Sequence, residues 1–167
     1  HDALRGRKTI RGFLEQPVPQ SVIREILIDA HWAPSSSNQQ PWHFILTTER
    51  GLLNELADIL RFGQMLRRAP LGIAVCANLE LTKHPGFWVQ DCSAATQNLL
   101  LAAHILGLGA VWLGVYPIEE RVSGVKQILG LPEQVIPLCI VALGYPAAVP
   151  ERPVMRFDET RVHHEHW

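Results

Sequence analysis

Cysteine is scarce in this 167-residue chain. Cys76, Cys92 and Cys139 are odd in number, far apart, and set in the apolar contexts IAVCAN, QDCSAAT and PLCIVAL. That spacing suits neither a metal site nor a disulfide, so the three read as small buried hydrophobes in a reducing compartment. An excess charge of either sign is also lacking. The formal net charge of -1 gives no reason to expect nucleic acid or a membrane surface as partner. No apolar run approaches the roughly 20 residues that cross a bilayer, and no signal-peptide pattern stands at the start, so a cytoplasmic location is expected. Internal repeats, low-complexity tracts and linkers are absent too. With 47% hydrophobic and 19% charged residues, positions 1–167 fit one domain with a substantial core. Without a nucleophile elbow, a Walker loop or an H-x-x-x-H pair, hydrolytic and phosphoryl-transfer chemistry have no residues to carry them.

The chain alternates helical and extended patterns. Pro19 introduces a helix with Val22, Ile23, Ile26, Leu27 and Ala30 at helical spacing, ending near Trp32 because Pro34 disfavours helix just before it. WHFILTT reads as a strand, LLNELADILR as a helix, and LGIAVCA as a strand buried on both faces. From Phe87 to Leu106 runs the longest helical signal, with small residues along one face and Gly107 placed to stop it. GAVWLGV, IEERVSGVKQIL and IPLCIVALGYP follow as strand, helix and strand. The expected class is α/β (α+β), a central mixed sheet of four strands flanked by helices. The tail from about 147 to 167 has little periodicity and should lie along a surface, that of another subunit included.

Three segments carry chemistry. PSSSNQQPW, positions 34 to 42, sets six neutral polar side chains between a helix and a strand. Hydroxyls and amides suit a neutral, flat ligand with a polar edge, or else Ser and Asn simply cap a helix end. In RGRKTIRGF, Arg5, Arg7, Lys8 and Arg11 crowd around Thr9, as in a phosphate clamp or a solvated basic face. GLGAVWLG closes a helix and enters a strand, the reverse of a dinucleotide-binding glycine loop, so Gly114 is left to let backbone approach a ligand closely. The tail histidines His163, His164 and His166 offer a metal neither fixed geometry nor supporting partners, and no metal site is expected.

Together these segments resemble the FMN-dependent nitroreductase family. RKTIRGF is similar to its R-R-S-x-R-x-F opening, APSSSNQQPWHF to its A-P-S-x-x-N-x-Q-P-W-x-F signature, and DCSAATQNLLLAAHILGLGAVWLG to its central helix and following strand. The resemblance runs in order from about Leu4 to Glu159. It implies an intertwined homodimer with FMN at the interface. Arg7, Lys8, Thr9 and Arg11 would hold the phosphate and pyrimidine edge, and Pro34, Ser35, Ser36 and Asn38 would reach the partner's flavin. Backbone at Leu113 and Gly114 would lie near the flavin ring. Many members carry an acid before that glycine, where this chain has Leu113. Of the family's C-terminal Lys-x-Arg, Arg152 matches, Val154 does not, and Arg156 is the candidate substitute. No long insertion separates the central elements, which implies an open pocket without the lid of larger members.

The expected activity is hydride transfer from NADH or NADPH to FMN and on to a nitroaromatic, quinone or related organic acceptor, by a ping-pong mechanism with no catalytic side chain. Two alternatives stay open: an FMN-binding or FMN-sensing protein without turnover, and a specialised flavin enzyme that dehalogenates or fragments flavin.

Overall fold

The computed structural model describes residues 1–148, 151 and 156–167. In chain order the elements are α1 (Asp2–Gly6), α2 (Gln20–His31), β1 (Trp42–Thr47), α3 (Arg50–Ile59), β2 (Leu71–Asn78), α4 (Trp88–Ile105), β3 (Gly109–Gly114), α5 (Glu119–Leu129) and β4 (Val135–Gly144). Each expected strand and helix is present with ends shifted by a residue or two. Pro19 precedes the first turn of α2, where its fixed φ suits a helix start. Gly107, at φ 78°, takes the left-handed turn just beyond α4.

The four strands form one sheet in the order β1-β2-β4-β3. All neighbouring strands pair antiparallel, with Trp42 opposite Ala77, Leu71 opposite Leu143 and Gly109 opposite Gly144. The expected mixed character is therefore confined to one isolated parallel bridge, Thr9 to Ala110, outside the named strands. A bulge between Val75 and Cys76 shifts the register as β2 meets Pro137 of β4, which has no N–H to give the ladder.

Side-chain alternation along the inner strands builds a core on each face. Ile73, Val75, Val141 and Leu143 pack under α2 and α4 with Ile26, Cys92, Ala95 and Leu99. Ala74, Cys76, Ile140 and Ala142 pack under α3 and α5 with Leu53, Leu56 and Val125. Burial on both faces explains why β2 and β4 are nearly continuous apolar runs. The outer edge of β1 has no neighbour among the described residues, and its His43 and Leu46 are exposed. The outer edge of β3 is covered by the chain's own basic segment. No helix among the described residues is long and apolar enough to cross a membrane.

Candidate functional site

The basic segment is fastened to β3 by its backbone. Ile10 N–H donates to the Ala110 carbonyl at 3.0 Å, and Leu14 N–H and Ala147 N–H close the far end against Tyr145 and Gly12. Ile10 is buried, whereas Thr9 and Arg11 on either side of it are exposed, and Arg7 and Lys8 are half-buried. Of the ion pairs among the described residues, none involves Arg7 or Arg11. Among the described residues no carboxylate pairs with either, which suits an anion arriving from outside.

Arg11 opens onto a pocket of about 200 Å³ that also receives Arg61, Phe62, Leu113, Gly114 and Arg121. Leu113 turns its side chain into the core and is only 6% exposed, so it can offer a ligand backbone alone. Gly114 is exposed, and a β carbon there would meet nothing within 4 Å. Arg121 donates from Nη1 to the Gly114 carbonyl at 3.0 Å, holding the end of β3 at the pocket floor. At the rim, the Arg61 guanidinium lies 5.2 Å from the centre of the Phe62 ring, which is 68% exposed. Lys8 faces a separate pocket of about 170 Å³ beside His104, Gly107 and Pro146. The basic residues thus spread along β3 from one end to the other.

A roomier cavity of about 600 Å³ lies away from these residues, between Glu15, Thr48, Arg50 and Arg68. Its central cation, Arg50, is committed to the Leu66, Arg67 and Ala69 carbonyls at 2.7 to 3.1 Å. That bonding makes Arg50 a brace for the chain between α3 and β2, so size alone does not make this cavity the site.

The polar loop lies elsewhere. Pro34 and Asn38 are exposed and Ser35 and Ser36 half-buried, and none of them lines the Gly114 pocket. The pocket belongs to the α3–α5 side of the sheet, and the loop packs against α4 on the other. Ser37, Asn38 and Gln40 have φ values of 48°, 53° and 46°. For non-glycine residues this left-handed region costs about 1–2 kcal/mol each, so strong local bonding is required. Ser35 Oγ accepts from Gln40 N–H and Asn38 Oδ1 accepts from the Gln40 side-chain amide, both at 3.0 Å. Ser36 N–H and the Gln39 side chain both donate to the Asp91 carboxylate of α4.

A family model described as Nitroreductase family matches residues 4–62 and 60–145. A protein of Methanothermobacter thermautotrophicus, provisionally named an NADH dehydrogenase/NAD(P)H nitroreductase, is 47% identical over 99% of this chain and 86% of its own length. The chain belongs to the nitroreductase family. Solved structures agree. A provisionally named NADH oxidase from Clostridium acetobutylicum superposes with a TM-score of 0.96 at 38% identity, covering 99% of this chain and 100% of that one. A nitroreductase-like protein from Desulfovibrio desulfuricans, solved in complex with FMN, gives 0.84 at 30% identity, covering 99% and 96%.

Within this nitroreductase fold, the expected site residues fall into two groups. Arg11, Leu113 and Gly114 share a pocket, and Arg7, Lys8 and Thr9 continue from it along β3. Pro34, Ser35, Ser36 and Asn38 form a separate loop. Arg152 lies outside the described residues, and Arg156 is exposed and lines neither of the pockets beside β3. The tail histidines form no metal-holding group among the described residues. Sequence reasoning did not single out Gln39, Asp91, Arg61, Phe62 or Arg121. A carboxylate in the apolar stretch WVQDCSAAT was the available signal for Asp91. Nothing in the local sequence ties Arg121 to Gly114.

Proposed function

We propose that this nitroreductase-family chain is a homodimeric, FMN-dependent oxidoreductase that takes hydride from NADH or NADPH and reduces a nitroaromatic, quinone or related organic acceptor. One observation carries the reading: a basic segment, hydrogen-bonded along β3 and with Arg7 and Arg11 in no ion pair among the described residues, leads to an exposed glycine with open space above it. Arg7, Lys8 and Thr9 hold the phosphate with forked and charge-assisted bonds, and Arg11 meets the pyrimidine edge of the ring. Gly114 lets the ring approach β3 without a side chain between them, and Arg121 keeps that glycine in place. Bound FMN supplies the capacity to accept hydride and pass it on.

The second half of the site comes from the partner subunit. Pro34, Ser35, Ser36 and Asn38 cannot reach the pocket of their own chain, because the sheet stands between them. In a two-fold dimer each loop serves the other subunit's cofactor, and the tail packs on the partner through its described residues 156–167. The bare edge of β1 and exposed Trp32, Phe157 and Trp167 support association. Arg156 takes the place of the second phosphate ligand that Val154 does not supply.

No side chain of the pocket acts as acid or base, since water protonates the reduced acceptor. Donor and acceptor use the same open cleft in turn, which makes the kinetics ping-pong.

The test has three parts. Mass spectrometry of cofactor released by heat should find FMN, and FAD or no flavin after reconstitution would contradict the reading. Anaerobic NADH or NADPH should bleach the flavin absorbance, and a nitroaromatic or quinone should restore it. Bound FMN that neither nicotinamide bleaches would favour a storage or sensing protein. Double-reciprocal plots at several acceptor concentrations should be parallel, and intersecting lines would refute the shared cleft.

A further inference from the structure

The left-handed residues Ser37, Asn38 and Gln40 crowd into four positions of the loop, so the loop would relax without a restraint. The restraint is a buried acid. Asp91, in the first turn of α4 and 4% exposed, accepts Ser36 N–H on Oδ1 at 2.8 Å and the Gln39 side-chain amide on Oδ2 at 2.5 Å. Gln39, itself 8% exposed, uses Oε1 to accept the backbone N–H groups of Lys83 and His84, both at 3.0 Å. Its Nε2 also reaches the His84 carbonyl at 3.4 Å. Two side chains thus join the loop, the segment before α4 and the start of α4 itself.

Asp91 is the one buried carboxylate among the described residues. A buried charge is a poor device for stability alone, since well-packed apolar groups do as well. What a carboxylate adds is direction. Both its oxygens only accept, so Gln39 must point its amide N–H at Asp91 and its carbonyl at Lys83 and His84. In the resulting loop Ser35 Oγ and Asn38 Oδ1 are occupied as acceptors by Gln40. The Ser35 hydroxyl proton and the Asn38 amide protons meet no acceptor among the described residues and remain to be donated outward. A flavin ring edge and ribityl chain carry oxygens that accept such bonds.

We propose that Asp91, through Gln39 and Ser36, is the positioning residue that aims the Ser35 and Asn38 donors at the cofactor of the partner subunit. The proposal rests on the reading that this loop meets FMN.

An exchange of partners tests it. Asp91→Asn keeps the bond to Ser36 but sets an amide N–H₂ against that of Gln39. Gln39→Glu sets carboxylate against carboxylate. The double variant Asp91→Asn/Gln39→Glu reverses the pair and restores its bonds, losing only the 3.4 Å contact to the His84 carbonyl. Each single variant should raise the FMN dissociation constant about tenfold or more, and the double should return to within about threefold of wild type, with similar sedimentation and melting temperature throughout. Wild-type FMN affinity in both singles would overturn the proposal. So would a double variant no better than the singles. If the singles do not fold, Gln39→Ala removes the partner without repulsion. Weakened FMN binding by a folded Gln39→Ala dimer supports the proposal, and unchanged binding overturns it. A wild-type protein that binds no FMN would sink the functional reading instead, which separates the two failures.

Discussion

Ile10 sits directly on Gly109: a β carbon added to the glycine would stand 2.6 Å from the β carbon of Ile10. Real β carbons do not approach so closely, so Gly109→Ala must lift the basic segment off β3. Overpacking of this kind costs about 1–3 kcal/mol. The variant should melt at lower temperature and bind FMN more weakly, both readable in one thermal-shift titration. Gly114→Ala should separate the two effects. Its new methyl meets open space, leaving the fold intact, yet it occupies the surface assigned to the ring. FMN affinity should fall with the apo melting temperature unchanged, and unchanged affinity would remove Gly114 from the site.

Arg7→Ala should weaken FMN binding more than Arg5→Ala. Arg7 is half-buried next to the segment that bridges to β3, whereas Arg5 is exposed on α1. A lost charge-assisted bond is worth roughly 1.5–3 kcal/mol, or about 10- to 150-fold in dissociation constant. Fluorescence titration of FMN into the apo variants measures this. Equal losses would show a diffuse basic surface instead of a clamp.

Sedimentation at low micromolar concentration should reveal a single dimeric species. In the proposed shared site, the separation of the polar loop from the Gly114 pocket calls for a second copy, and the edge of β1, unpaired among the described residues, is open to one. A folded monomer that retains FMN would contradict the shared site.

The thiols should be inert in the native protein. Burial raises Cys76 and Cys92 from the ordinary 9.0 to about 12, and raises Cys139 further still. Folding therefore favours the neutral thiols. Their contribution to stability is complete below pH 9 and is lost as pH climbs toward 12. Unfolding free energies from denaturant titrations should decline between pH 9 and 11. At pH 8 a disulfide reagent should modify the cysteines only after unfolding, and rapid reaction in the native state would contradict their burial.

Much of the architecture was legible because it rests on local pattern. The unbroken apolar run of β2 and the small-residue face of α4 announce burial without reference to the rest of the chain. The basic opening and the polar loop were legible as composition. What stayed hidden depends on tertiary encounter. Asp91 and Gln39 are distant in sequence, and only the packing of α4 against the loop makes them partners. Strand direction was hidden too, because apolar runs do not encode it and the connections between strands set it. The left-handed turns at Ser37 and Gln40 escaped because neither residue type is a usual signal for that conformation.

The stitching of residues 9–14 to β3 and to the chain just after β4 bears on how the protein is made. On the ribosome, Thr9 emerges about a hundred residues before its partner Ala110, and Gly12 waits longer still for Ala147. Contacts between such distant positions form late, since the intervening loop must close first. The segment proposed to hold the phosphate is therefore synthesised well before the strand that places it. Until β3 has been made, nothing holds that segment in the geometry proposed for the cofactor.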